Sequence, residues 1–136
     1  ESTPQKGQQK MTAPKLTAEH MRSVLQRYVD FVTRGDCDGI MALYADDASV
    51  EDPVGSEPRR GRAAIAELYR NAAGQVRLEL EGSVRVAANC AAAPMVGRPN
   101  GMQGMVVEIV DVMTFNDAGL ITAMRAYWSP DTIRPE

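Results

Sequence analysis

"MVVEIVDVMTF", residues 105–115, sets the reading of the whole chain. Taken as a β-strand, its side chains alternate between two faces. One face carries Met105, Val107, Ile109, Asp111, Met113 and Phe115, an aspartate set among apolar residues. Two accounts of Asp111 are open. It can be a structural carboxylate at a sheet edge, bridging to an arginine or accepting backbone N–H bonds, or a sign of shifted register. Alternatively it points into dry protein, where desolvation disfavours its charge and raises its pKa. A protonated Asp111 would be a hydrogen-bond donor at neutral pH. Donors in apolar pockets serve reactions that build negative charge on an oxygen.

Downstream, the turn "NDAG" joins this strand to "LITAMRAYW" as a hairpin. Upstream, "QVRLELE" alternates and "SVRVAANCAAAPMVG" reads as a weaker strand, with Pro94, Pro99 and the glycines between them predicting a loop or bulge. The first half is helical. Thr17 suits the N-cap of a helix over 18–33, whose stripe holds Met21, Val24, Leu25, Tyr28, Phe31 and Val32, and Gly35 ends it. Asp36 or Asp38 can cap a short second helix through Ile40, Leu43 and Tyr44. "ASVEDP" is a brief strand stopped by Pro53, and a third helix runs over 62–73 with Ile65, Leu68 and Tyr69 inward. Helices followed by antiparallel strands predict an α+β fold, a curved antiparallel sheet with three helices enclosing a cone-shaped pocket.

The chain of 136 residues fits a single domain, expected over 13–130 with tails at 1–12 and 131–136. "ESTPQKGQQK" has no apolar centre, so it reads as an appended flexible tail with Met11 as the native start rather than a leader, and the expected setting is cytoplasmic. A net charge of -3 offers nothing to nucleic acid or an anionic membrane, and no apolar run approaches the roughly 20 residues of a membrane span. Cys37 and Cys90 lack metal-ligand spacing and read as free thiols. The single histidine, His20, sits in a first helical turn and reads as a surface residue.

Two further groups stand out. Tyr28, Tyr44 and Tyr69 fall on inward stripes of the three helices. A buried phenol left unpaired costs about 1–3 kcal/mol, so each either bonds a carbonyl or the three form a network. Asp52, in "VEDPVG", ends a strand beside a proline. It is either a structural turn residue or a mobile carboxylate at a pocket mouth, suited to act as general base.

In this order, "RYVDFVTRGD", "MALYADDASVEDPVG", "GRAAIAELYR" and "IVDVMTFNDAGLITAMRAYW" resemble the Δ5-3-ketosteroid isomerase family of the nuclear-transport-factor-2-like superfamily, from Met11 to Trp128. The resemblance implies Tyr28 and Asp111 as oxyanion-hole donors, Asp52 as the base, and Tyr44 and Tyr69 as the supporting network. In that family, by a known property of it, the second aspartic acid stays protonated to above roughly pH 9 in its apolar site. The resemblance further implies a 3-oxo-Δ5 steroid substrate, no cofactor or metal, and a homodimer. Val50, Val54, Leu68, Met95, Val107, Ile109, Met124, Ala126 and Trp128 are the expected apolar wall, each equally readable as core. Segment 89–104 departs from the family. Met95 stands in place of an aromatic residue, Glu108 stands near a familiar aspartate, and "SEPRRG" is unusually basic. A non-catalytic carrier of small apolar ligands and a sister polyketide cyclase, dehydratase or epoxide hydrolase are the competing functions.

Overall fold

The structure is a computed structural model describing residues 15–136, so the expected N-terminal tail and the first residues of the domain lie outside the described residues. Helix α1 (Ala18–Arg34) begins where the Thr17 side chain accepts from the His20 N–H at 3.0 Å. It ends at Gly35, whose φ of 78° suits a residue without Cβ. Its buried stripe is Met21, Val24, Leu25, Tyr28, Val29 and Val32. Helix α2 (Cys37–Met41) is capped by Asp36, whose carboxylate accepts from the Gly39 N–H at 2.9 Å.

The second helix stops sooner than its pattern implies. Tyr44 opens strand β1 (Tyr44–Glu51) instead of closing a helix. Tertiary pairing overrides local propensity here: the Ile121 N–H donates to the Leu43 carbonyl at 2.9 Å, and Tyr44 pairs with Ile121. Strand β2 (Arg59–Arg60), helix α3 (Arg62–Ala72) and strand β3 (Val76–Leu80) follow, then β4 (Arg85–Ala87), β5 (Cys90–Pro99), β6 (Met105–Phe115) and β7 (Ile121–Tyr127).

The strands run β2-β1-β7-β6-β5-β3, with β4 beside β5. The sheet is mixed rather than wholly antiparallel, because β1 and β7 pair in parallel. The expected loop around Pro94 is strand. A residue's N–H and C=O point to the same neighbour, and the Pro94 carbonyl accepts from the Glu81 N–H at 2.9 Å, just beyond β3. β3 pairs with residues 95–99 of β5 and β4 with residues 90–92, so the missing proline donor falls in the gap between them. The C-terminal residues are not a tail either. Pro130–Thr132 form a 3₁₀ turn, and β8 (Ile133–Pro135) pairs with Met105–Val107 of β6, satisfying backbone groups along that stretch of β6.

The helices cover the concave face of the sheet. The core between them includes Leu25, Ile40, Val50, Ile65, Met113, Phe115, Ile121 and Met124, all buried. Edge strand β3 is tied to α1 by Thr33, whose hydroxyl accepts from the Leu78 N–H (2.9 Å) and donates to the Leu78 carbonyl (3.3 Å). Beside that tie, Val32 and Leu78 border a cavity where the solid core ends.

Candidate active site

Alternation along β6 aims Asp111 at the concave face, between Ile109 and Met113, leaving it 3% exposed. Among the described residues it is the single buried charged side chain, and its carboxyl finds no protein hydrogen-bond partner there. Burial pushes its pKa well above the ordinary carboxylate range, and the nearby Asp52 charge pushes it further. Both effects favour the protonated form of Asp111, an O–H aimed into apolar space.

The cavity it enters has a volume of about 380 Å³ and is bordered by Tyr28, Asp52, Tyr69 and Trp128 at its polar end. Tyr28 comes from α1, Tyr69 from α3, Asp52 from the loop after β1, and Trp128 from the end of β7. The Tyr44 and Tyr69 hydroxyls lie 2.7 Å apart, and those of Tyr69 and Tyr28 2.9 Å apart. Each phenol has a single proton to give. If Tyr44 donates to Tyr69 and Tyr69 to Tyr28, the Tyr28 proton is left free to point into the cavity. Burial, reinforced by the neighbouring tyrosine and carboxylates, holds Tyr28 well above the ordinary phenol range, so it keeps that proton.

Asp52 is half-buried, and burial raises its pKa, whereas the Trp128 indole N–H, donating to Oδ1 at 2.7 Å, lowers it. The two carboxyls thus differ in kind. Asp52 accepts a hydrogen bond that favours its charged form, and Asp111, more deeply buried, accepts none among the described residues. The Tyr28 phenol and the carboxyls of Asp52 and Asp111 thus border one apolar chamber.

Of the expected wall, Met95, Val107, Ile109, Ala126 and Trp128 border the cavity. The others lie away from it. Val50 and Met124, paired across β1 and β7, are sealed in the solid core, and Leu68 packs against that core. Val54 sits in the loop, its N–H donating to the Ala126 carbonyl at 2.8 Å. The far wall is built instead from Val32, Ala72, Val76, Leu78, Gly97, Pro99, Met102 and Ile133. Alternation in "QVRLELE" carries a signal for Val76 and Leu78, but Gly97 and Pro99 fall in the stretch that reads as loop or bulge, and Ile133 reads as tail. His20 is a structural residue, its Nε2 donating to the Gly119 carbonyl at 2.8 Å. Among the described residues no cluster of three or more His, Cys, Asp or Glu could hold a metal ion, and no helix is long and apolar enough to cross a membrane.

This cone of helices on a curved sheet matches the SnoaL-like domain family over residues 25–124. A solved structure described as the epoxide hydrolase/cyclase-like enzyme SalBIII, with a role in pyran ring formation in polyether salinomycin, superimposes with a TM-score of 0.78 at 26% identity. It covers 87% of this chain and 97% of its own. The epoxide hydrolase LasB of Streptomyces lasalocidi is 30% identical over 122 residues, which are 83% of this chain and 43% of LasB. A steroid Delta-isomerase of Nocardioides simplex is 47% identical over 111 residues, 81% of this chain and 90% of that protein. The chain belongs to the steroid Delta-isomerase family, on the SnoaL-like fold.

Proposed function

We propose that the protein converts 3-oxo-Δ5 steroids into 3-oxo-Δ4 steroids. The steroid enters with its 3-oxo group against Tyr28 and Asp111. Ionised Asp52 takes a proton from carbon 4, and the electrons move through carbon 3 onto the oxygen, giving a dienolate. The two neutral donors hold that oxygen in a site too apolar for water to compete. Protonated Asp52 then returns the proton to carbon 6, and the double bond ends between carbons 4 and 5. One carboxylate serves both carbons because they lie on the same face of the steroid.

The observation that carries this reading is Asp111, buried and, among the described residues, without a protein hydrogen-bond partner, in the same cavity as Tyr28. An acid kept protonated at such a position has no structural use, and leaving its donor unmet is costly until a ligand oxygen arrives. The likeness to LasB and SalBIII supports an epoxide-opening reading, but among the described residues no arginine borders the cavity to join two carboxylates around a water.

Mixing the protein with 5-androstene-3,17-dione should produce the conjugated-enone absorbance, and Asp52→Asn should abolish most of it while product steroid still binds. No enone with wild type would refute the reaction, and undiminished turnover in Asp52→Asn would remove Asp52 from it.

The convex sheet face favours a homodimer. Val110 and Tyr127 are paired neighbours there, 39% and 43% exposed, with half-buried Val112 beside them. Val106, which alternation puts on the same face, is buried within the chain, beside its β8 partner Arg134, which reaches across to Glu108 at 2.9 Å. Unpaired Cys37 and Cys90 fit the reducing cytoplasm.

A further inference from the structure

The far wall of the cavity contains one residue with no side chain. Gly97 lies in the middle of β5's pairing with β3, directly opposite Leu78 and next to Val107 of β6. Its concave-face neighbours on β5 are Met95 and Pro99, and all three border the cavity. A Cβ added at Gly97 would meet Val76 Cγ2 at 3.2 Å, Ile109 Cδ1 at 3.3 Å and Leu78 Cδ2 at 3.3 Å. The space is therefore not open room for a ligand. Three branch-terminal methyls have folded back over it.

Those methyls belong to side chains that themselves border the cavity. On their other side is the sheet backbone, which cannot retreat. A Cβ at Gly97 would push them by a few tenths of an ångström in the direction that is empty, into the chamber. The backbone itself would not object, since the φ of Gly97 lies outside the left-handed region. An alanine there would even restrict the unfolded chain and so favour folding. Glycine in a strand interior weakens the strand and marks a close approach, and here what approaches is the cavity's own lining.

We propose that Gly97 is a specificity-determining residue: its missing side chain draws Val76, Leu78 and Ile109 back and gives the chamber the width a fused four-ring ligand needs. It acts through those three side chains, of which only Ile109 neighbours a donor, standing beside Asp111 on β6. This inference rests on the steroid reading above and adds the residue that sets ligand width. One-ring phenols, which need only the donors at the polar end, are indifferent to it.

The test compares two probes, 4-androstene-3,17-dione and unsubstituted phenol, on wild type, Gly97→Ala and Gly97→Ala/Ile109→Val, with thermal unfolding on the same samples. Gly97→Ala should melt no lower than wild type yet bind the steroid about 10-fold or more weakly, the effect of one misplaced methylene in an apolar pocket. Phenol affinity should hold within about 2-fold. Ile109→Val, by removing the Cδ1 that the new methyl meets, should recover much of the steroid affinity. Equal loss for both probes, or loss for neither, would overturn the proposal. Failure of both variants to fold would overturn it too, because the wall could then not yield into the chamber. A wild type that binds phenol but no steroid would refute the steroid reading itself, and this inference with it.

Discussion

Replacing Asp111 by Asn keeps the shape of the side chain and removes its titration. In the folded protein Asp111 is 3% exposed and its pKa is held well above the ordinary range, first by burial and then by the Asp52 charge. In the unfolded chain it ionises near about pH 3.9. Between those two values the native state carries a proton that the unfolded state has lost. Stability therefore falls as pH rises through that window, by about 1.4 kcal/mol per pH unit for one proton, and is unpenalised below the unfolded pKa. Asn has no such slope. Subtracting the wild-type stability from that of Asp111→Asn cancels titrations common to both proteins. The difference should climb by about 1.4 kcal/mol per pH unit, hence about 2.7 kcal/mol between pH 5 and 7, with the variant gaining as pH rises. Urea unfolding followed by the fluorescence of Trp128, the sole tryptophan, measures this directly. Repeating the series in an Asp52→Asn background removes any response of the second carboxyl. A difference that is flat with pH would mean that Asp111 ionises in the native state as it does in the unfolded one. A difference that falls only as pH rises toward about 3.9, and is flat above it, would mean a charged Asp111 held by partners. Either result ends its role as a neutral donor.

The other expectations concern rate and assembly. Trp128→Phe removes the hydrogen bond that lowers the Asp52 pKa; a bond to a charged group is worth about 1.5–3 kcal/mol, so the acidic limb of kcat/KM should move up by about 1–2 pH units. A limb that stays in place would show that the indole does not tune the base. Tyr28→Phe and Asp111→Ala should each lose about 10²–10³ in turnover, with Asp111→Asn between Ala and wild type because the amide still donates. Should all three match wild type while remaining folded, the oxyanion site lies elsewhere. In sedimentation at micromolar concentration the protein should run as a dimer and Val110→Asp as a monomer, whereas a monomeric wild type would contradict the sheet-to-sheet assembly.

What the sequence disclosed, and what it hid, divides along local and non-local lines. A single acid among Val107, Ile109 and Met113 is visible in a period of two, and so is the inward stripe that holds Tyr28. The same periodicity places Tyr69 inward, but only the fold brings the hydroxyls of Tyr44, Tyr69 and Tyr28 into one chain. Tyr44 reads as helix because its apolar spacing continues α2, and the pairing that makes it strand comes from Ile121, far along the chain. Pro94 reads as a strand breaker until β3 and β4 are seen to leave a gap for it. Val50 and Met124 have the composition of a pocket wall, yet periodicity cannot tell the covered part of a concave face from its open part. Ile133 carries no periodic signal, since a three-residue strand is too short to have one.

The parallel pairing of β1 with β7 has a consequence for how the protein could be divided. Among the described residues it is the one ladder of the sheet that joins residues before Gly61 to residues after Gly74, and it brings Trp128 against Asp52, 76 positions away. A cut in the exposed stretch Gly55–Glu57 would place Tyr28 and Asp52 on one fragment, and Tyr69, Asp111 and Trp128 on the other. Neither fragment would hold both the base and the complete donor pair. Turnover would then measure reassociation of the two pieces, so a proton-transfer enzyme of this build is also a natural two-part reporter, with colour from the conjugated product as its signal.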